Sequence, residues 1–212
     1  MKKWTKWLLL SLLAIMIIGG GWYTVNHFTN LTSNSSQVVK PKYVEKKNVK
    51  LVALGDSLTH GQGDETNNGG YVGVIKGKIE HRYHQTKVTT VNYGVTGDRS
   101  DQILDRLNQQ SQLRSDLRSA DVITMTVGGN DLMQILEKNV MGSERQVTSS
   151  VESGEKTYQQ KLIKLFDAVR KENPKAPIFV MSIYNPFYTY FPDVTIINKS
   201  INQWNQTTQD TM

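Results

Sequence analysis

The sequence predicts an α/β domain in which helices cover both faces of a parallel sheet. Three observations carry this expectation. Four short apolar or β-branched runs, at residues 49–54, 87–93, 121–127 and 177–183, alternate with stretches whose apolar residues recur at helical spacing. The first run, Val49 to Leu54, has no polar alternation, as in a strand buried on both faces. Three of the four runs end in small-residue corners: Gly55-Asp56-Ser57-Leu58, Gly94-Val95-Thr96-Gly97-Asp98 and Gly128-Gly129-Asn130-Asp131.

Taken in order, the chain opens with Lys2, Lys3 and Lys6, then an uncharged stretch from Trp7 to Asn26. About twenty helical residues span roughly 30 Å, the thickness of a bilayer core. Trp4, Trp7, Trp22 and Tyr23 flank it as interfacial aromatics do. Residues 1–26 are therefore expected to form a transmembrane anchor or a signal peptide, with the length and flanks favouring the anchor. The lysines place its N-terminus in the cytoplasm and the remainder on the extracytoplasmic side of the cell membrane; cleavage would make that remainder a secreted protein. Residues 27–48, rich in Asn, Ser, Thr and Lys, read as a polar linker, and 49–212 as the folded domain.

Charge supports this division. The formal net charge of +6 arises wholly in residues 1–48, with seven lysines and one acid, whereas 49–212 carries 18 basic and 18 acidic residues. A nucleic-acid-binding domain would hold its basic excess on the folded part, so nucleic acid is not an expected partner. The absence of cysteine excludes disulfides, thiolate metal sites and a cysteine nucleophile.

Within the domain, Tyr71, Val74, Ile75 and Ile79 give the apolar face of a first helix. Lys87–Tyr93 is β-branched and reads as the second strand. Ser100 is placed to cap a helix bearing Ile103, Leu104 and Leu107, and Leu113 and Leu117 continue the apolar pattern. Asp121–Val127 is the third strand, and a short helix follows around Leu132–Leu136, with Asp131 placed to cap it. Residues 139–154 are polar and carry no clear pattern. Tyr158, Leu162, Leu165, Phe166 and Val169 form a helical stripe ending before Pro174, and Pro177–Ile183 is the fourth strand. Val194, Ile197, Ile201 and Trp204 give a last amphipathic helix.

Parallel strands bring the three corners to one sheet edge, where ligands bind in open α/β sheets. Glycines there let backbone N–H groups approach a ligand, and with the amide of Asn130 they suit a developing oxyanion. A serine among them suggests acyl transfer. GDSL at 55–58 followed by Thr59, the glycine inside GVTGDRS, and GGND at 128–131 resemble, in order and spacing, the first three blocks of the SGNH hydrolases, the GDSL-type esterases and lipases.

That resemblance implies a three-layer α/β/α flavodoxin-like fold and a serine ester hydrolase working through an acyl-serine intermediate. Ser57 would be the nucleophile, and its own N–H, that of Gly97 and the Asn130 amide would form the oxyanion hole. Asp56 and Gly128 would have supporting roles. The substrate would be a small-molecule, lipid or glycan ester, and neither metal nor organic cofactor is implied. The family's fourth block, Asp-x-x-His, supplies the general base and its orienting carboxylate. No histidine follows His84, and Asp193 is followed three positions on by Ile196, so this block and the last strand and helix are not in the chain. A non-catalytic, membrane-anchored surface module binding a glycan or cell-wall ligand is the alternative that this omission favours.

Other residues invite weaker readings. His60 stands three positions after Ser57, but a solvent-facing loop histidine is the commoner situation; His81 and His84 fall at a helix end. Asp64 and Asn68 hint at a calcium loop, yet Ile75 occupies the position that needs a bidentate Glu. Phe187 and Phe191, in an aromatic cluster after the fourth strand, are candidate walls of an acyl pocket.

Overall fold

Leu51, Val52, Ala53 and Leu54 are completely buried, and their alternating side chains divide the interior in two. Leu51 and Ala53 join Val72 and Val88 in a small cluster on one face. Val52 and Leu54 enter the large cluster on the other, with Ile103, Leu107, Leu117, Ile123 and Leu162. In the computed structural model, which describes residues 46–185, 188 and 195–212, this run is strand β1 (Asn48–Gly55).

Strand β2 (Lys87–Gly94) lies parallel to β1 from Asn48 opposite Lys87 to Gly55 opposite Gly94. On the other side β3 (Val122–Thr126) pairs with Leu51–Leu54, and β4 (Ile178–Met181) pairs with β3. The order β2-β1-β3-β4, all parallel, is the start of the flavodoxin-like order. The chain leaves β1 toward one side for β2 and returns across it for β3, which puts the switch point at the carboxyl end of β1. β4 is shorter than the apolar run 177–183 and only half covered, with Phe179 58% exposed.

The helices are α1 (Ser57–His60), α2 (Gly70–Arg82), α3 (Ser100–Gln109), α4 (Ser111–Arg118), α5 (Gly129–Lys138), α6 (Glu144–Glu172) and α7 (Thr195–Thr211). Three differ from the expectations above. In α2, Val74 is 54% exposed and Val72 is buried instead, because Val72, Ile75 and Ile79 share one stripe and Val74 falls opposite it. Leu113 and Leu117 belong to a separate helix, since extended backbone at Gln110 breaks the chain between α3 and α4. The polar stretch 139–154 supplies the first turns of α6. They are nucleated by a capping box in which the Gln146 side chain accepts the Ser143 N–H at 2.8 Å. Further along, α6 stacks Tyr158 on Trp204 of α7 with ring centroids 5.1 Å apart.

Among the described residues no helix is long and apolar enough to cross a membrane. The expected anchor and almost all of the linker lie outside those residues. Two residues before β1, the Lys46 carbonyl accepts the Thr86 hydroxyl at 2.9 Å.

One polar staple joins β1, β2 and α4. Lys50 Nζ donates to Asp116 Oδ1 at 2.6 Å, and the Tyr93 hydroxyl donates to Asp116 Oδ2 at 2.6 Å. These two bonds, Lys50 first, hold the Asp116 carboxyl down at about 2, while burial and then Asp116 push the Tyr93 hydroxyl up to about 12. A depressed folded-state pKa contributes stability that is present above the unfolded value and lost as pH falls through the folded one. Asp116→Asn should therefore lower the thermal midpoint at pH 7 by roughly 4–8 °C, from about 2 kcal/mol of charge-assisted bonding. The deficit should shrink as pH falls from about 4 toward about 2; melts showing a constant deficit over that range would contradict the staple.

Candidate active site

Ser57 is the first residue of α1, directly after the carboxyl end of β1. The turn is possible because Gly55 has φ +147°, and a Cβ there would lie 2.3 Å from Thr126 Oγ1. Asp56 then caps α1, its Oδ1 accepting the Leu58 N–H at 3.0 Å. The same oxygen accepts the Thr126 hydroxyl at 2.7 Å, and the Asp56 N–H returns to Thr126 Oγ1 at 3.2 Å. Beneath them Thr59 Oγ1 lies 2.7 Å from Thr126 Oγ1 and 3.0 Å from the Tyr71 hydroxyl. Burial pushes the Tyr71 hydroxyl above its ordinary value, so it remains a proton donor across the physiological range.

The second corner is fixed from three directions. Arg106 Nε donates to Asp98 Oδ2 at 2.6 Å, and the same guanidinium reaches the carbonyls of Tyr93 at 3.0 Å and Gly55 at 3.2 Å. One side chain thus ties the ends of β1 and β2 to the loop carrying Gly97. From the third corner, Asn130 Nδ2 donates to the Asp98 carbonyl at 2.8 Å. Asp131 takes the Ser100 N–H at 2.8 Å and the Ser100 hydroxyl at 2.7 Å, with Lys161 Nζ 3.5 Å away. Asp131 therefore does not cap its own helix, whose N-cap is Gly128 without a side-chain bond. It caps α3, joining the second corner to the third. Gly128 has φ +97°, and a Cβ there would meet the Tyr158 hydroxyl at 2.2 Å, so only glycine fits.

Three N–H donors are left over at these corners. The backbone amides of Ser57 and Gly97 have no acceptor among the described residues, and Asn130 has a second amide hydrogen beyond the one given to Asp98. The half-buried Ser57 hydroxyl likewise has no hydrogen-bond partner there. Ser57 and Asn130 both line a cavity of about 170 Å³ whose other walls are largely apolar, among them Leu58, Met133, Leu136, Ile183, Ile197 and Ile201. Gly97 does not line it. His60 is exposed and lines a different crevice. Among the described residues no three His, Asp or Glu side chains gather closely enough to hold a metal ion.

Residues 53–211 match the family model of the GDSL-like lipases and acylhydrolases. The chain belongs to that family. It is similar to the Bacillus subtilis protein YpmR, 33% identical over 160 residues, covering 76% of this chain and 61% of YpmR. It is also 30% identical over 159 residues to the spore germination lipase LipC of Bacillus licheniformis, covering 74% of this chain and 72% of LipC. The chain thus spans less than two thirds of the first of these relatives. The crystal structure of the lipase Lip_vut3 from a goat rumen metagenome superposes with a TM-score of 0.65 at 26% identity, covering 76% and 75% of the two chains.

Sequence reasoning placed the corners but missed Thr126, Arg106 and the clamping role of Asp131, since each acts on a residue 31–70 positions away. It also missed the cavity walls: Ile197 and Ile201 carry only the ordinary signal of an amphipathic helix. Phe187 and Phe191 lie outside the described residues. The clamp is testable by Asp131→Ala, which removes two buried hydrogen bonds and should cost about 2–4 kcal/mol of stability in denaturant titrations. A loss below about 0.5 kcal/mol, the level of an ordinary surface change, would show that Asp131 does not join the corners.

Proposed function

We propose that the complete protein is an extracytoplasmic serine ester hydrolase in which Ser57 is the acylated nucleophile. The observation that carries this reading is the unpartnered Ser57 hydroxyl, which shares a largely apolar cavity with Asn130, together with unspent donors at the three corners, Ser57 N, Gly97 N and Asn130 Nδ2. Donors already fixed by the fold stabilise a tetrahedral oxyanion without reorganising when it forms. Membership of a family described as lipases and acylhydrolases supports the same chemistry.

Ser57 Oγ would attack the ester carbonyl while a base takes its proton. The carbonyl oxygen would become an oxyanion facing the three donors. Its collapse expels the alcohol, which leaves with that proton, and water then releases the acid by the same steps in reverse order. Asp56 and Gly128 support the geometry, the first by capping α1 and the second by admitting Tyr158. The described residues bond neither imidazole nor carboxylate to Ser57, so the reading assigns the base to a histidine outside them. The apolar stretch at residues 7–26 would hold the enzyme to the outer face of the cell membrane.

The acyl group would occupy the cavity bounded by Met133, Leu136, Ile197 and Ile201. At about 170 Å³ it is close to the roughly 150 Å³ apolar cavity that holds benzene, which suggests an acyl chain of about six carbons.

A fluorophosphonate probe on the full-length protein tests the assignment. Labelling lost in Ser57→Ala is expected; a wild-type protein that takes no label favours a non-catalytic surface module instead. Asn130→Ala should lower kcat by roughly 10²–10³ with little change in KM. A loss under tenfold would remove Asn130 from the oxyanion hole. Ile201→Trp should shift preference among p-nitrophenyl esters toward shorter chains, and an unchanged chain-length profile would place the acyl group elsewhere.

A further inference from the structure

A second crevice, of about 500 Å³, shares no lining residue with the apolar cavity and is walled by residues that neighbour Ser57 and Gly97 in the chain. One wall is the chain just after Ser57, whose carbonyl accepts the N–H of Gly61 at 3.1 Å and that of Gln62 at 2.9 Å. The other is Thr96, immediately before Gly97. Apart from Asp64, its side chains are polar groups with hydrogen bonds to offer. His60, Gln62, Asn67 and Thr96 are exposed, and none of them bonds to another described side chain or carbonyl through its own polar group.

Asp64, the carboxylate of the crevice, is already committed. It accepts the Thr66 N–H at 3.0 Å, the Thr66 hydroxyl, and the Gly70 N–H at 2.8 Å. Those bonds, the Thr66 hydroxyl first, hold its pKa at about 2, so it stays a carboxylate whose oxygens are taken by the loop's own donors. No Lys or Arg lines the crevice. A phosphate or carboxylate would face the Asp64 carboxylate and no Lys or Arg, and an aliphatic group would find no apolar wall. Side-chain donors and acceptors of this kind pair with hydroxyl groups.

We infer that this crevice receives the alcohol half of the ester, and that the alcohol is an uncharged polyol. The inference rests on the hydrolase reading above. The apolar cavity and this polar crevice then divide one substrate between them: the acyl chain enters the first, and the alcohol leaves from the second with the proton that the base removed from Ser57. Sugar and glycerol esters share this chemistry.

The test uses the full-length protein and three hexanoates differing only in alcohol: methyl hexanoate, 1-monohexanoylglycerol and 6-O-hexanoylglucose. At least one polyol ester should exceed the methyl ester in kcat/KM by tenfold or more, and the better of the two identifies the source. In Gln62→Ala/Asn67→Gly that ratio should collapse about tenfold through KM, the loss of two ordinary hydrogen bonds. Glycine at 67 is chosen because Asn67 has φ +54°. No polyol preference in the wild type, or a ratio unmoved in the double variant, would overturn the inference while fluorophosphonate labelling of Ser57 left the hydrolase reading standing. An unlabelled protein that cleaves none of the three would overturn both.

Discussion

The site depends on how closely the end of β1 approaches Thr126. At Gly55 there is no room for a Cβ: it would meet Thr126 Oγ1, the Thr126 carbonyl and Thr59 Oγ1 at 2.3–2.5 Å. That approach lets one buried hydroxyl serve Asp56 twice, giving its proton to the carboxylate and taking the backbone N–H. Asp56, at the end of β1, is thereby fixed to the neighbouring strand β3, and it fixes α1 in turn. Ser57 is presented at the first turn of a helix, where its amide has no partner within that helix.

The other two corners are built as one piece with the first. Arg106 spans the carbonyl ends of β1 and β2 and the carboxylate of Asp98. Asn130 and Asp131, adjacent in sequence, hold the carbonyl of Asp98 and both polar groups of Ser100. Each bond alone contributes on the order of 1 kcal/mol, more where a charge takes part. Their importance is geometric, because they leave the N–H groups of Ser57 and Gly97 and one hydrogen of Asn130 with nothing in the described residues to bind.

Much of this was legible in the sequence for a simple reason. Val49–Leu54 reads as a strand buried on both faces and Asp121–Val127 as a further strand, and Gly55, Gly97 and Gly128 mark places where the backbone must turn or admit a neighbour. Local pattern also gave the stripe Tyr158 to Val169. It failed where the cause is not local. The first turns of α6 are polar because they project beyond the core, with Val151 the buried residue before Tyr158, so no stripe announced them. Asp131 looked like a cap for the helix it opens, and only the tertiary fold brings Ser100 to it. The apolar cavity, likewise, draws on α5, α7 and the chain after β4, none of which signals a cavity by itself.

The central claim is that the three corners offer their hydrogens to one oxygen. A crystal structure of the complete protein carrying a phosphonate on Ser57 Oγ measures this directly. The account predicts one phosphonyl oxygen at about 2.7–3.1 Å from each of Ser57 N, Gly97 N and Asn130 Nδ2. A phosphonyl oxygen turned to solvent, with Gly97 N or Asn130 Nδ2 beyond hydrogen-bond reach, would contradict it.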